Sequence, residues 1–305
     1  MLALPDHRHT AEYLMANSLL QTAHQYTQTH SDREGIARTT VPGLVLIRST
    51  RPTELEHAIV RPLLCLVLQG CKQVSMGNSD CSFGADETML VTSNQPTVSR
   101  IISASPSKPY LSIALDLDPS IIAELNLAST QTPGSSALQH DASLELREAV
   151  RRLLQLLEQP HSLAVLQSAL LREIHHWLLL GPQGAAVRNL GMPDSQVQRI
   201  ARAVALLREN YKQRLTVERL AAAAGMGRSA FHQHFRAVTS LSPLQFQKQL
   251  RLIEARRLLL NTGQSISTVA FKVGYESISQ FTREYRRMFN LPPRQDRQAA
   301  HIRAE

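Results

Sequence analysis

Two stretches in the last third of the chain share one arrangement of small, glycine and aromatic residues. The first contains Ala221, Gly225, Phe231 and Phe235, and the second contains Ala270, Gly274, Phe281 and Tyr285 with one more residue in the middle. A short helix with a small packing residue, a glycine turn and a second helix held by aromatic rings is the sequence form of a helix-turn-helix. The last third of the chain is therefore predicted to be helical and to contain two such motifs.

The second helix of each motif is predicted to expose a row of polar side chains. At about 100° per residue, Phe231, Phe235 and Val238 share one side of the first helix, and Phe281, Tyr285 and Met288 share one side of the second. The opposite sides carry Ser229, His232, Gln233 and Arg236 in the first helix, and Ser279, Arg283 and Arg286, flanked by Gln280 and Arg287, in the second. Arg and Gln contact purine edges, and Ser and Arg bind phosphates, so both rows are predicted to contact DNA.

The positive charge of the chain is concentrated in the same region. Residues 197–305 carry 19 Lys and Arg against 7 Asp and Glu, a net charge of +12, whereas residues 1–196 carry 14 against 18, a net charge of −4. This asymmetry is typical of a module that binds a polyanion, most often nucleic acid. A membrane surface is the alternative polyanion. No apolar run approaches the roughly 18 residues that a membrane-spanning helix needs, so no membrane span is predicted.

A single helix is predicted between the two motifs. Ser242-Pro243 places proline at a first helical position, and the helical pattern continues from Leu244 to about Leu260. At 1.5 Å per residue this helix spans roughly 25 Å. Successive faces of the major groove recur about 34 Å apart, so such a rod, with the width of the motifs, is able to set both reading helices on one side of a duplex.

The first half of the chain has short β-branched and apolar runs instead. Between Gly43 and Leu117 these runs are GLVLIR, LLCLVLQG, KQVSMG, ETMLVT, TVSRII and PYLSIALDL, separated by turn residues. Their spacing predicts a small antiparallel barrel or sandwich.

Helices are predicted on both sides of this barrel. Their ranges are 9–29, 119–127, 142–159 and 161–180, with a loop over 128–140. The last two helices have surplus leucine, which indicates a partner surface, either the barrel or a second copy of the chain. Residues 183–194 have the small residues, Gly and Pro of a linker.

The segments LTVERLAAAAGMGRSAFHQHFRAVTSLSPLQF and RLIEARRLLLNTGQSISTVAFKVGYESISQFTREYRRMFNLPP carry a family resemblance. From about Gln196 to Arg297 the chain resembles the two-motif DNA-binding domain of AraC/XylS transcriptional regulators. The resemblance implies base-reading positions at Ser229, His232 and Gln233 in the first motif, and at Ile278, Ser279, Gln280 and Arg283 in the second. Two residues depart from the family pattern. Asn290 replaces the usual glycine, which asparagine tolerates, and Asp296 replaces the usual aromatic residue, which predicts a loosely packed last turn.

The segments LLCLVLQGCKQVSMG and FGADETMLVTSNQPTVSRIISASPSKPYLSIALDLD are similar to the N-terminal domain of one AraC subgroup, a cupin-like barrel that binds an effector. Period-two alternation predicts which side chains point into this barrel. The inward candidates are Cys65, Val67 and Gln69 on one strand and Met89 and Val91 on another. A register shift of one residue would exchange this set for the opposite face.

Other chemistries find little support in the sequence. His57 is the only histidine of the barrel segment, so no metal site and no cofactor are predicted. Residues 225–230 match a dinucleotide fingerprint in spacing, but no strand precedes them, and they are interpreted as the turn between helices. The odd count of Cys65, Cys71 and Cys81 predicts free, mostly buried thiols, with redox or electrophile sensing as the alternative for the last two. No residue is predicted to be catalytic, because no fixed base accompanies a candidate nucleophile.

The sequence thus predicts an α+β protein of two domains: an N-terminal cupin-like β-barrel with flanking helices and a C-terminal all-α double helix-turn-helix. Residues 1–185 are the predicted effector-binding and dimerisation domain, 186–195 a linker, and 196–305 the DNA-binding domain. The predicted function is a sequence-specific transcriptional regulator in the cytoplasm, with no membrane association. Its expected partners are double-stranded promoter DNA, a small-molecule effector, a second copy of the chain in a homodimer, and RNA polymerase if the protein activates transcription. The alternatives are a constitutive DNA-binding protein whose first domain only dimerises, and a barrel enzyme tethered to DNA.

Overall fold

The computed structural model describes residues 7–77, 79–130 and 142–304. The chain divides into two compact units, one with the residues up to 198 except 57–59, and the other with residues 57–59 and those from 199 onward. Among the residues described, no helix is both long and apolar enough to cross a membrane.

The described residues up to 191 form one long helix, nine strands and four further helices. These elements are α1 (His7–His30), β1 (Ile36–Arg38), β2 (Leu44–Ser49), β3 (Glu56–Val60), β4 (Leu63–Gln69), β5 (Cys71–Met76), β6 (Ser79–Phe83), β7 (Thr88–Val91), β8 (Gln95–Ser103), β9 (Tyr110–Asp116), α2 (Pro119–Thr130), α3 (Ala142–Leu156), α4 (Pro160–Leu180) and α5 (Gly184–Gly191). The predicted helices are confirmed to within a few residues. Most of the predicted loop over 128–140 lies outside the described residues, and residues 128–130 are the end of α2.

The strands form two antiparallel sheets, in the orders β1-β2-β9-β4-β7 and β3-β8-β5-β6. Alternation along the central strand β4 divides its side chains between two environments. Leu64 and Leu66 join the large core that the sheet shares with the helices. Cys65 and Val67 point the other way, into two smaller buried clusters that each combine residues of both sheets. These clusters therefore fill the space between the sheets.

The prediction of a linker at 186–195 is wrong, because helix α5 occupies most of that segment. Val187 and Leu190 are buried in the same core as the other helices of this unit. A side chain at Gly191 would overlap the backbone of α2 at Ile122 and Ala123, so this glycine lets the two helices approach closely. Small residues that resemble a flexible linker in the sequence are here a packing surface.

The second unit is helical. Its helices are α6 (Gln196–Glu209), α7 (Val217–Ala224), α8 (Arg228–Thr239), α9 (Pro243–Asn261), α10 (Ile266–Lys272), α11 (Ile278–Phe289) and α12 (Pro293–Ala304). The pairs α7–α8 and α10–α11 are the two predicted helix-turn-helix motifs, and α9 is the predicted connecting helix. Both predictions are confirmed.

Local side-chain chemistry fixes where these helices begin and end. Ser242 makes a capping box with Gln245 at the start of α9, which satisfies two backbone N–H groups that the helix itself leaves free. Ser277 accepts a hydrogen bond from the backbone N–H of Gln280 at the start of α11. At the end of α11, Asn290 adopts a left-handed conformation with φ of 61°. Asparagine at this glycine position is thus accommodated as predicted.

Each motif is built on its own aromatic core. Phe231 and Phe235 of α8 are fully buried, with ring centroids 5.4 Å apart, and Phe246 of α9 packs 5.6 Å from Phe235. Phe281 and Tyr285 of α11 are fully buried in the same way, 5.5 Å apart. Burial of a large apolar side chain stabilises a fold by about 1.5–3 kcal/mol, so these rings fix which side of each helix faces inward.

The loose packing predicted from Asp296 is not found at that residue. This residue is 4% exposed and lies in α12. Its carboxylate accepts hydrogen bonds from Arg256 Nε at 2.9 Å and from Tyr285 Oη at 2.7 Å. The family's aromatic side chain is therefore replaced by a hydrogen-bonded ion pair, which the sequence pattern did not reveal.

Candidate nucleic-acid interface

Helix α8 presents the first predicted row of polar side chains to solvent. The turn before it uses Gly225 at φ of +61°, a conformation that costs glycine little, and α8 begins at Arg228. The exposed predicted residues are Ser229, His232, Gln233 and Arg236. Because buried rings lock the opposite side of the helix, this row has one fixed orientation within the motif.

Helix α11 presents the second row along a shallow groove of about 630 Å³. Ser279, Arg283 and Arg286 are exposed, and Ile278 is 42% exposed despite being apolar. The groove is lined by Ile278, Ser279, Thr282, Arg283, Arg286 and Arg287. The structure therefore brings most of the predicted α11 residues together on one surface.

The guanidinium groups of the arginines in this groove are unpaired in the described structure. Within the described part of the chain, no ion pair or side-chain hydrogen bond engages Arg283, Arg286 or Arg287. The guanidinium of Arg256, in contrast, is committed to Asp296 inside the unit. Free guanidinium groups on a solvent-facing helix are available to phosphates and to base edges.

Gln280 differs from the other predicted reading residues. It is half-buried, and its Nε2 donates to Glu284 Oε1 at 3.2 Å. Lys248 Nζ and Tyr275 Oη also donate to the Glu284 carboxylate, both at 2.9 Å. Sequence reasoning missed Glu284, although its spacing of four residues from Gln280 on a helix was a usable signal.

Arg251, in the middle of α9, connects the loop that precedes the first motif to the second motif. Its guanidinium donates to the backbone carbonyls of Tyr211 at 2.6 Å and Gly274 at 2.8 Å. Its other nitrogen donates to the carbonyls of Lys212 and Gln213, both at 3.1 Å. One side chain thus ties the loop after α6 to the turn of the second motif. Burial lowers the pKa of this guanidinium, which nevertheless stays charged because arginine titrates above the physiological range.

The predicted effector residues do not all lie in one place. Cys65, Met89 and Val91 belong to one buried cluster, and Val67 belongs to the neighbouring one with Ile101 and Tyr110. Gln69 lies at the end of β4, where its Nε2 donates to the Pro109 carbonyl at 2.7 Å. It lines a separate groove of about 370 Å³ together with residues of α1.

Two buried hydroxyl groups accompany the residues between the sheets. Tyr110 and Ser112 share one face of β9 and are 0% and 1% exposed. Among the described residues, neither hydroxyl has a partner that meets strict hydrogen-bond geometry, although Ser112 lies close enough to Tyr110 and to Cys65 to interact weakly with both. Buried polar groups are usually satisfied, so the pair marks a place where a polar partner fits. The alternation of PYLSIALD was the signal that could have found them.

The three cysteines are free thiols in different environments. Cys65 is buried, and burial raises the pKa of its thiol. Cys71 is half-buried, whereas Cys81 is exposed on β6, the edge strand of its sheet, so the prediction of mostly buried thiols is wrong for Cys81. In the described ranges, no group of three or more His, Cys, Asp or Glu side chains is placed to hold a metal ion.

Comparison with known proteins gives the same two-part division. Residues 40–186 match the family model of the AraC-type transcriptional regulator N-terminus, and residues 220–299 match a helix-turn-helix domain model. The first match covers most of the strands and helices α2 to α4, and the second covers both motifs.

Relatives of known function match across most of the chain. The virulence regulon transcriptional activator VirF of Yersinia enterocolitica is 30% identical over 248 residues, which cover 77% of this chain and 88% of VirF. The transcriptional regulator ExsA of Pseudomonas aeruginosa is 27% identical over 210 residues, 68% of this chain and 73% of ExsA.

A solved structure shows a similar fold. Unsaturated fatty acid bound wild-type ToxT from Vibrio cholerae aligns with a TM-score of 0.52 over 83% of this chain and 92% of that chain, at 10% identity. The likeness to ToxT concerns the fold alone, whereas VirF and the two family models establish descent. On that basis the chain belongs to the AraC family of DNA-binding transcriptional regulators.

Proposed function

We propose that this regulator reads operator bases in the major groove with α8 and α11, and that a small organic effector in the N-terminal barrel controls its binding. The observation that carries the reading proposal is the groove along α11, where exposed arginines without partners line one face of a helix locked by buried rings. Such a surface offers direct contacts to bases and to phosphates.

Each exposed side chain has a role that its chemistry suits. Gln233 in α8 and Arg283 in α11 are the bidentate readers, because amides fit adenine and guanidinium groups fit guanine. Ser229, His232 and Ser279 make shorter polar contacts, and Ile278 meets a thymine methyl group. Arg236 and Arg286 bind phosphates.

The connecting helix sets the distance between the two reading helices. α9 has 19 residues, which correspond to about 28 Å at 1.5 Å per residue. Consecutive major-groove faces recur about 34 Å apart, so one chain reads two turns of a duplex.

The effector proposal rests on the unsatisfied hydroxyls between the sheets. A ligand with a polar group would satisfy Tyr110 and Ser112, while its apolar part would contact Cys65, Val67, Met89 and Val91. The fatty acid bound to ToxT, which has a similar fold, supports an organic ligand with an apolar body. Gln69 would contribute from the neighbouring groove only if the ligand extends towards α1.

A homodimer, acting in the cytoplasm, completes the proposal. Val165 and Leu166 of α4 are 76% and 46% exposed, which supports a second copy of the chain as their cover. Two copies on adjacent half-sites bind more tightly than one, because the second contact is intramolecular. RNA polymerase is the further partner if the regulator activates transcription.

Two arginine variants test the reading surface. Arg283→Ala is expected to cost about 1–3 kcal/mol at the target site and to relax base preference at one position. Arg287→Ala, in the same groove, is expected to weaken binding to all sequences alike and to reduce the salt dependence. Unchanged footprints on promoter DNA for both variants would show that α11 does not read the operator.

A cell-based reporter separates effector control from a constitutive regulator. If an effector binds between the sheets, reporter output will vary with the growth medium, and Ser112→Leu will abolish that variation while DNA binding in vitro persists. A constitutive regulator gives one output in every medium, with or without the substitution. The wild-type and Ser112→Leu chains are compared at equal abundance.

A further inference from the structure

The carboxylate of Glu284, on α11, accepts hydrogen bonds from three donors. Lys248 Nζ and Gln280 Nε2 donate to one oxygen, at 2.9 and 3.2 Å, and Tyr275 Oη donates to the other at 2.9 Å. The Glu284 side chain is 17% exposed. Burial raises the pKa of this carboxyl group, but the hydrogen bonds from its three partners outweigh burial and the net pKa is lowered. Glu284 is therefore ionised and can only accept hydrogen bonds.

An acceptor-only partner determines which way an amide side chain points. A glutamine amide has an oxygen that accepts and a nitrogen that donates, and the two are interchanged by a half-turn of the amide. Next to an ionised carboxylate, only the orientation with nitrogen towards the carboxylate makes a hydrogen bond. The amide oxygen of Gln280 then stays on the side away from Glu284, and in the described structure no hydrogen bond engages it.

A fixed amide distinguishes bases that a free amide does not. In the major groove, adenine N6 and cytosine N4 are donors, whereas guanine O6 and thymine O4 are acceptors. A free glutamine satisfies either kind by rotating its amide. A glutamine held with its oxygen outward favours the amino groups of adenine and cytosine.

We propose that Glu284 is a positioning residue for operator specificity: by holding the Gln280 nitrogen, it makes Gln280 select adenine or cytosine at the base that α11 presents to it. This inference rests on the proposed reading role of α11. Glu284 itself contacts no base in this proposal. The proposal specifies adenine or cytosine at one operator position.

The decisive variant is Glu284→Gln. It preserves the size of the side chain but has one accepting oxygen in place of two, so it cannot accept from both Lys248 and Tyr275. Its own amide is also able to donate, so either orientation of Gln280 finds a hydrogen bond to it. Glu254→Gln is the matched control, because it removes one negative charge from α9, where Glu254 pairs with Arg257 and makes no contact with Gln280 that the described structure shows.

The experiment is selection of bound duplexes from a randomised pool by the full-length chain. Gln280→Met first identifies the operator position that Gln280 reads, as the one whose preference it removes. At that position the wild-type chain and Glu254→Gln are expected to prefer adenine or cytosine over guanine and thymine by about tenfold. Glu284→Gln is expected to reduce this preference below about threefold and to leave other positions unchanged. In the Gln280→Met background, Glu284→Gln is expected to add no further change at that position.

The outcomes separate this inference from the proposed function. If Arg283→Ala changes its own position but Glu284→Gln keeps the full wild-type profile, Glu284 does not act through Gln280, and the reading role of α11 stands. If neither Arg283→Ala nor Gln280→Met changes any position, α11 does not read bases and the proposed function fails first. If Glu284→Gln does not fold, the position defined by Gln280→Met still decides, because a wild-type preference there for guanine or thymine overturns the inference.

Discussion

Tyr285 Oη donates a 2.7 Å hydrogen bond to the buried carboxylate of Asp296, and this bond joins α11 to α12. Arg256 of α9 donates to the same carboxylate at 2.9 and 3.2 Å. Three helices therefore converge on one side chain that is 4% exposed. The contact explains how a carboxylate is accommodated at this buried position: its charge is paired and its oxygens accept hydrogen bonds.

Removal of this carboxylate is predicted to destabilise the DNA-binding unit strongly. Asp296→Ala leaves the Arg256 guanidinium and the Tyr285 hydroxyl without their acceptor, and breaking a largely buried ion pair costs about 3–5 kcal/mol. Tyr285→Phe, as the matched variant, removes one hydrogen bond and costs about 1 kcal/mol. Urea unfolding of both variants measures the difference. If Asp296→Ala and Tyr285→Phe lowered the free energy of unfolding by equal, small amounts, solvent would replace the carboxylate at no cost.

Arg251 is predicted to control the spacing that the two motifs accept. Arg251→Ala leaves four backbone carbonyls without their donor. It is expected to cost about 3–6 kcal/mol of stability, because the two part-buried hydrogen bonds contribute about 1.5–3 kcal/mol each and water replaces the two exposed ones. Arg257→Ala, which breaks a surface pair with Glu254, is expected to cost under about 1 kcal/mol. A DNA-binding assay on operators with one base pair inserted between the two reading sites tests the geometric role. Arg251→Ala should discriminate less than the wild type against the inserted base pair, and equal discrimination would limit Arg251 to stability.

The two turn glycines are equivalent in sequence but not in structure. Both have positive φ, +61° at Gly225 and +92° at Gly274. A Cβ at Gly225 would meet the ends of the Arg199 and Arg202 side chains, at 3.4 and 4.0 Å, whereas a Cβ at Gly274 would overlap the Lys212 carbonyl. Gly225→Ala is therefore predicted to cost about 1–2 kcal/mol, the price of a left-handed alanine.

Gly274→Ala is predicted to cost more than Gly225→Ala, at least about 3 kcal/mol, because backbone has to move. Gly227→Ala is the control, since a Cβ there has no heavy atom within 4 Å and φ is −68°. Thermal unfolding ranks the three variants. A Gly274→Ala variant no less stable than Gly225→Ala would mean that the loop after α6 is free to shift.

The features that the sequence predicted well are those with a local signal. Phe231 and Phe281 recur at helical spacing with glycine turns before them, so both motifs and both outward rows followed from periodicity alone. The residues that it missed or misinterpreted act through contacts distant in the chain. Glu284 meets Lys248 across 36 residues, and Asp296 meets Arg256 across 40. No periodic pattern shows such partners.

The segment at 186–195 shows a different reason for a wrong prediction. Composition alone does not distinguish a flexible run of small residues from a helix packed closely on its neighbour. Gly191 belongs to the second kind, because only the position of α2 makes its lack of a side chain necessary. The weak helix propensity of these glycine-containing residues is therefore overridden by tertiary packing. The sequence alone does not show that packing.

Stability of the first unit is predicted to fall with acid through His175. This side chain is 1% exposed; its Nδ1 lies 2.7 Å from the Leu171 carbonyl, and its Nε2 accepts from the backbone N–H of Asp118 at 2.9 Å. With one nitrogen donating and the other accepting, the ring is neutral. Burial lowers the pKa of His175 below its usual value near 6.5, although its contacts with Leu171 and Asp118 oppose that shift.

The sign of the pH effect follows from this lowered pKa. Above pH 6.5 the ring is neutral in the folded and the unfolded chain, and its contribution to stability is complete. As pH falls below 6.5 the unfolded chain binds a proton that the folded chain resists, so stability declines by up to about 1.4 kcal/mol per pH unit until the folded pKa is reached. His175→Gln removes this slope, whereas His161→Gln, at an exposed position on α4, keeps it. Urea midpoints between pH 5 and pH 8 measure the slopes, and an unchanged slope in His175→Gln would assign the acid sensitivity to another group.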